Sequence, residues 1–299
     1  MMWVRDELLG ARCRWRVGGP ARRFAEVKTV DELREHLRDA GDETVLALGG
    51  GANLLIADAG VRNPVVSLKG AFRKVELGEG TIDVGGGASI ATTVQTARRN
   101  GRRGLAILEA VPGTMGGALR MNAGTPDAGV WDLVEWADVM WPDGSVERIG
   151  PERAQPAYRH IALDEGAIFV AAEVRAPAGE ARAVDEEHLR RRQEKLDAQV
   201  YDWPTCGSTW KNPPGHSAWE LIDAVGLRGA RKGDAQISPK HANFIVNLGA
   251  ARAADILELM LETRARVDRE AGIRLQPEIR FWGFDEATLR EVGALEASA

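Results

Sequence analysis

The sequence predicts a mixed α+β fold built around more than one core, and three observations carry that reading. The 299 residues exceed the roughly 100–200 of an average domain. Helix-period and strand-like segments alternate through the first two thirds, separated by glycine turns. Beyond Ala183 the texture changes to a long charged helix and then a second set of short elements.

Taken in order, Thr29 and Glu32 form a capping box opening a helix whose apolar face is Val30, Leu33 and Leu37, closing near Gly41. The period then shortens: residues 45–48, 54–56, 65–68 and 81–84 read as strands between Gly, Pro and Asn turns. Ser89 caps a helix running towards Asn100. Residues 105–108 and the glycine-rich stretch 111–124 read as loop and turn. Strands follow over 134–140, 145–149 and 168–175, with Pro142-Asp143-Gly144 a hairpin turn. A charged helix over 184–199 bridges to Ser217 and Glu220, a second capping box before a short helix ending at Gly226. After a strand at 243–247, Ile256, Leu259, Met260, Thr263 and Val267 recur at the spacing of one helical face, ended by Gly272. Residues from 284 onward read as a tail.

Composition narrows the function. A net charge of -5 with no long Lys/Arg block argues against nucleic acid as a partner. No apolar run approaches the ~20 residues of a bilayer span, and residues 1–16 lack an apolar signal core, so the expected location is cytoplasmic. Cys13 and Cys206 make no disulfide framework and read as reduced thiols. Five scattered histidines, without an HExxH pair, point to no metal centre. Oligomeric state is not readable.

The 34 glycines cluster in short loops, and two of these carry chemistry. Gly49-Gly50-Gly51-Ala52-Asn53-Leu54-Leu55 follows a strand, where successive N–H groups can converge on phosphate oxygens. It is no Rossmann fingerprint, since another strand-like run follows in place of a helix. Alone it reads equally as a glycine-rich hairpin. The second loop, Pro112-Gly113-Thr114-Met115-Gly116-Gly117-Ala118 with Met121-Asn122-Ala123-Gly124, repeats the device some sixty residues later. Two such nests make a bed for a dinucleotide, with Thr114 and Asn122 able to add hydroxyl and amide hydrogen bonds.

Through these loops and further motifs the chain resembles the UDP-N-acetylenolpyruvoylglucosamine reductases, in the compact form that lacks an extra Tyr-bearing loop. The resemblance runs from Arg16-Val17-Gly18-Gly19-Pro20-Ala21 through both glycine loops and Tyr158-Arg159. It resumes at Cys206-Gly207-Ser208-Thr209-Trp210-Lys211-Asn212-Pro213 and at residues 236–244, and closes at Pro277-Glu278-Ile279-Arg280. It implies a two-part FAD-binding region of vanillyl-alcohol-oxidase/PCMH type over 1–183, with subdomains of about 1–60 and 61–183. A smaller α+β substrate-binding domain would follow over 184–284, then a tail over 285–299.

The implied activity is NADPH-driven, FAD-dependent reduction of the enolpyruvyl group of UDP-N-acetylglucosamine enolpyruvate in peptidoglycan precursor synthesis. The resemblance assigns Ser208 as proton donor and Arg159 and Glu278 as partners of the substrate carboxylate. It places FAD, held non-covalently, along Gly49, Gly50, Gly51, Asn53, Leu54, Pro112, Gly113, Thr114, Gly116, Asn122 and Gly124. Tyr158, Lys211 and Asn212 are expected to bind the sugar nucleotide, and Lys195 can reach a diphosphate. Chemically the set is coherent. Once hydride reaches the terminal carbon, charge gathers on the carboxylate, where the planar donors of Arg159 can meet it. An ionised Glu278 there would need a cation, or a raised pKa would keep it protonated. Two rivals stay open: an FAD alcohol oxidase or dehydrogenase of the same architecture, and a non-catalytic sugar-nucleotide binding module.

Overall fold

The computed structural model describes residues 2–164 and 166–295. The chain forms two compact units that interleave along the sequence: Met1–Arg5, Arg23–Gly50 and Asn63–Asp197 make the first, and Asp6–Arg22, Gly51–Arg62 and Ala198–Ala299 the second. The expected boundaries at 60/61 and 183/184 therefore do not delimit them. Two early segments join the C-terminal part, and the charged helix Ala181–Ala198 belongs to the first unit up to Asp197.

The first unit holds two sheets. In one, Pro20–Val27 runs parallel to Val65–Leu68 with Phe24 opposite Val65, and Leu46–Ala47 pairs parallel on the far edge of Val65–Leu68. Helix Val30–Ala40 covers it with Leu33 and Leu37. Half of the expected box forms: Thr29 Oγ1 accepts from Glu32 N at 3.1 Å, but the Glu32 carboxylate accepts from Lys28 N, one residue before the cap, in place of Thr29 N.

The other sheet is antiparallel, in the order Val75–Leu77, Thr81–Gly85, Ile168–Arg175, Val134–Met140, Val146–Ile149. Ala171 pairs with Gly85 on one side and Asp138 on the other. Its buried face packs Ile82, Val139 and Phe169 against Ile90 and Val94 of helix Ile90–Arg99, and against Leu119 and Trp131. Residues 111–124, expected as loop throughout, contain helix Met115–Met121. Thr114 caps it by accepting from Gly117 N, and glycines at two of its first three positions hide its period from a sequence reading.

The second unit packs helix Ala253–Ala271 on a three-stranded antiparallel sheet of Arg231–Lys232, Ala235–Ile237 and Ile245–Asn247. The predicted face Ile256, Leu259, Met260, Thr263 and Val267 is buried. Leu54–Ile56 pairs parallel with Arg280–Trp282, so Leu54 lies opposite Arg280. Two expectations fail here. Ser217 makes no side-chain cap; Asn212 Oδ1 instead accepts from Ala218 N at 3.0 Å and opens helix Ala218–Ala224. The expected tail contains helix Glu286–Val292, capped by Asp285 on Thr288 N, with Val292 fully buried. Residues 296–299 lie outside the described residues. Among the described residues no helix is long and apolar enough to cross a membrane.

Candidate functional site

The glycine loops approach each other closely in the first unit. A Cβ at Gly49 would stand 2.6 Å from Thr114 Oγ1, one at Gly50 2.7 Å from Gly113 Cα, and one at Gly116 2.8 Å from Gly86 O. At Gly50 and Gly116 the close neighbour is backbone and at Gly49 it is the Thr114 hydroxyl, so no side chain fits at these three contacts and the turns present a low-relief surface. Gly49, Gly50, Pro112 and Gly117 are exposed along it. Such a surface fits a flat dinucleotide that needs backbone donors and close approach. Thr114 has its hydroxyl turned to Gly117 N, at 3.4 Å.

Next along the chain, Asn122 takes a left-handed conformation at the end of helix Met115–Met121. Its amide is committed inside the protein: Nδ2 donates to Ala157 O at 3.0 Å and Oδ1 accepts from Trp131 N at 3.2 Å. This leaves little of it for the cofactor contact expected from sequence. What it holds is the turn carrying Arg159, closed by reciprocal Ala157 and His160 backbone bonds. Arg159, itself at φ 55°, donates Nη2 to Gly124 O at 3.2 Å and Nη1 to Asn122 O at 3.5 Å, and lies over the Tyr158 ring. Asn122 and Gly124 thus act on Arg159.

Lys195, half-buried on helix Ala181–Ala198, belongs to the same unit. Burial pushes its ammonium down to about 8, aided by Arg159 and opposed by Glu109.

The second unit brings Ser208 and Glu278 together. Gly207 at φ 82° turns the chain with open space around it, a conformation that favours glycine and leaves room beside the next residue. Ser208 then pairs as a β-bridge with Phe244, and Trp210 with Pro277. Between them Glu278 N donates to Thr209 O at 2.8 Å. Asn243 clasps the segment from the other side, accepting from Trp210 N at 2.9 Å and donating to Trp210 O at 2.8 Å. Asn53 Nδ2 donates to Glu278 O at 3.0 Å, while Arg280 N donates to Asn53 O. Asn53 therefore anchors the Glu278 backbone, and Leu54 lies in the core with its carbonyl towards Cys206 Sγ.

Lys211 N is held by Gln276 O, and Asn212 is partly spent on the cap of Ala218–Ala224. Gly51 sits in this unit, a Cβ there falling 2.7 Å from Cys13 Cα. Arg159 belongs to the other unit. Both thiols are buried, which pushes Cys206 up to about 11 and Cys13 up to about 12, leaving almost no thiolate at neutral pH.

Sequence reasoning missed Glu109 and His188, which pair in the first unit. Their one signal is a single acid in the otherwise apolar run 105–111. Asn243 was passed over as part of a strand. Among the described residues no group of three His, Cys, Asp or Glu could hold a metal.

Comparison with known proteins decides what this arrangement belongs to. A family model described as the C-terminal domain of UDP-N-acetylenolpyruvoylglucosamine reductase matches residues 199–282, and an FAD binding domain model matches 21–150. The reductase 2 of that name from Symbiobacterium thermophilum is 43% identical over 276 residues, covering 90% of this chain and 89% of that protein. The chain belongs to the UDP-N-acetylenolpyruvoylglucosamine reductase family. The reductase of Pelobacter propionicus is 39% identical over 93% of this chain and 95% of its own length. The solved reductase of Thermus caldophilus superposes with a TM-score of 0.84 at 36% identity, over 94% of this chain and 99% of that one. Membership of this reductase family brings FAD as cofactor, in line with the glycine surface above.

Proposed function

We propose that this chain reduces the enolpyruvyl group of UDP-N-acetylglucosamine enolpyruvate to the corresponding lactyl ether, with NADPH as reductant, in peptidoglycan precursor synthesis. FAD held along Gly49, Gly50, Gly113 and Gly116 would supply the hydride chemistry that links NADPH to the terminal carbon of the enol ether. The chain's own residues do the rest. Gly49, Gly50, Gly113 and Gly116 seat the cofactor through main chain, and Thr114 fixes their turn. Arg159, held by the carbonyls of Asn122 and Gly124, meets the substrate carboxylate as negative charge gathers there. Ser208 donates its hydroxyl proton to the neighbouring carbon, and an enolate is basic enough to take it. Glu278, fixed by its backbone between Thr209 and Asn53, is the second group at the carboxylate. Tyr158, Lys211 and Asn212 bind the sugar nucleotide, and Lys195 and Lys211 supply charge for its diphosphate.

The observation that carries this reading is the placing of Ser208 and Glu278 on adjoining backbone in a chain of this family. The test is simple. Purified protein is expected to be yellow, to release its flavin on denaturation, and to consume NADPH rapidly only when the enolpyruvyl sugar nucleotide is present. NADPH consumption indifferent to that substrate would refute it, and colour that stays with the denatured polypeptide would favour a covalent flavin oxidase.

A further inference from the structure

Glu109 lies just before the second glycine loop and is 2% exposed. A carboxylate buried alone costs several kcal/mol, so its partners matter. His188 is one: Nδ1 stands 2.9 Å from Oε1, with the imidazole 1% exposed. The other ring nitrogen, Nε2, is buried and has no hydrogen-bond partner among the described residues. The one hydrogen bond to Nδ1 meets only part of the acceptor capacity of this carboxylate.

Cations on the same helix answer it. His188, Arg191 and Lys195 recur at i, i+3 and i+7, on one face. Arg191 Nε is also buried without a hydrogen-bond partner among the described residues. The charges bearing on Lys195 are Glu109, which attracts, and Arg159 and Arg191, which repel; His188 completes the helix face.

We propose that Glu109, clamped by His188, is a positioning residue for an anion-binding face formed by Lys195 and Arg159. Its buried carboxylate balances cations that would otherwise repel one another, so the face keeps its charge until an acidic ligand arrives. The inference rests on the functional reading above, in which that ligand is a sugar nucleotide bearing a carboxylate and a diphosphate. Since burial already brings Lys195 down to about 8, affinity should fall as pH rises through that value. Removing Glu109 should move the fall to lower pH.

The experiment compares FAD-loaded parent and Glu109→Gln proteins, the substitution keeping an acceptor for His188 while removing the charge. KM for the enolpyruvyl sugar nucleotide is measured from pH 6 to 9, with calorimetric binding of the reduced product as a readout independent of turnover. A fall of one unit in the Lys195 pKa predicts variant-to-parent ratios near one at pH 6, about fivefold at pH 8 and approaching tenfold at pH 9. The kcat at saturation should change by less than about threefold. A ratio constant across pH marks a merely structural pair and overturns the proposal.

Should Glu109→Gln fail to load flavin, Lys195→Arg serves. A guanidinium does not titrate in this range, so the rise in KM near pH 8 should vanish, and its persistence overturns the proposal as well. Failure of the functional reading would look different: the parent itself would not turn over the sugar nucleotide.

Discussion

Arg159 and Ser208 stand on supports of different kinds. Arg159 sits at the tip of a turn fastened by one reciprocal backbone pair and the Asn122 amide, and its guanidinium is shared between two carbonyls. Ser208 lies on a segment stitched on both sides by Phe244, Asn243 and the 277–278 backbone. In the proposed reaction the first unit would offer charges that respond to one another, Glu109, Arg159 and Arg191 all acting on Lys195. The second would offer a neutral hydroxyl whose place is set by main chain. A charge tolerates small displacement because Coulomb attraction falls slowly with distance, whereas proton transfer to carbon does not.

The largest expected break in this contrast comes from Gly50→Ala. The added Cβ would fall 2.7 Å from Gly113 Cα, so the glycine turns must part. Flavin affinity should drop at least about a hundredfold, roughly 2.7 kcal/mol, and the protein should purify nearly colourless, as an absorbance ratio at 450 to 280 nm would show. Normal flavin content would place the cofactor elsewhere.

Asn122→Ala attacks the looser support. Losing the Ala157 and Trp131 bonds should free the Arg159 turn, lower kcat/KM for the sugar nucleotide by about ten- to a hundredfold, and cost about 1–3 kcal/mol of stability through buried groups left unpaired. Flavin reduction by NADPH should fall by less than threefold, since stopped-flow reads a step in which Arg159 has no carboxylate to meet.

The smallest effect concerns the thiols. Both have folded pKa values raised above the usual thiol value of 9.0, to about 11 and 12. Their stabilising contribution is thus complete below pH 9 and is lost as pH climbs through 11 and 12. Between pH 9 and 10.5 the parent should lose stability faster than a Cys13→Ala/Cys206→Ala protein, by up to about 1.4 kcal/mol per pH unit for each thiol, as urea midpoints would reveal. Parallel curves would contradict the burial argument.

Much of the fold was legible because its elements obey their periods. The Ala253–Ala271 face, the 142–144 hairpin and the Thr29 cap follow from spacing and turn chemistry alone. Helix Met115–Met121 was not, because its glycines carry no hydrophobic period. The terminal helix was short enough to pass for a tail. The interleaving of the units was hidden for another reason: pairings such as Leu54 with Arg280 join residues more than two hundred apart, and local pattern carries no such information.

At the candidate site, residue types pointed to groups able to carry chemistry but not to the groups that support them. Asn122 and Asn53 look like ligand-binding amides in one dimension; in three they hold the Arg159 turn and the Glu278 backbone. Glu109 announced itself only as one acid among apolar neighbours, and its partner His188 lies 79 residues on.

The division of labour between the units is tested most directly by separating the two half-reactions in Ser208→Ala. Flavin reduction by NADPH should stay within about twofold of the parent. Reoxidation of the reduced flavin by the enolpyruvyl sugar nucleotide should slow by about 10²–10⁴. Equal loss in both half-reactions, or unimpaired reoxidation, would contradict the assignment of Ser208 as the proton donor.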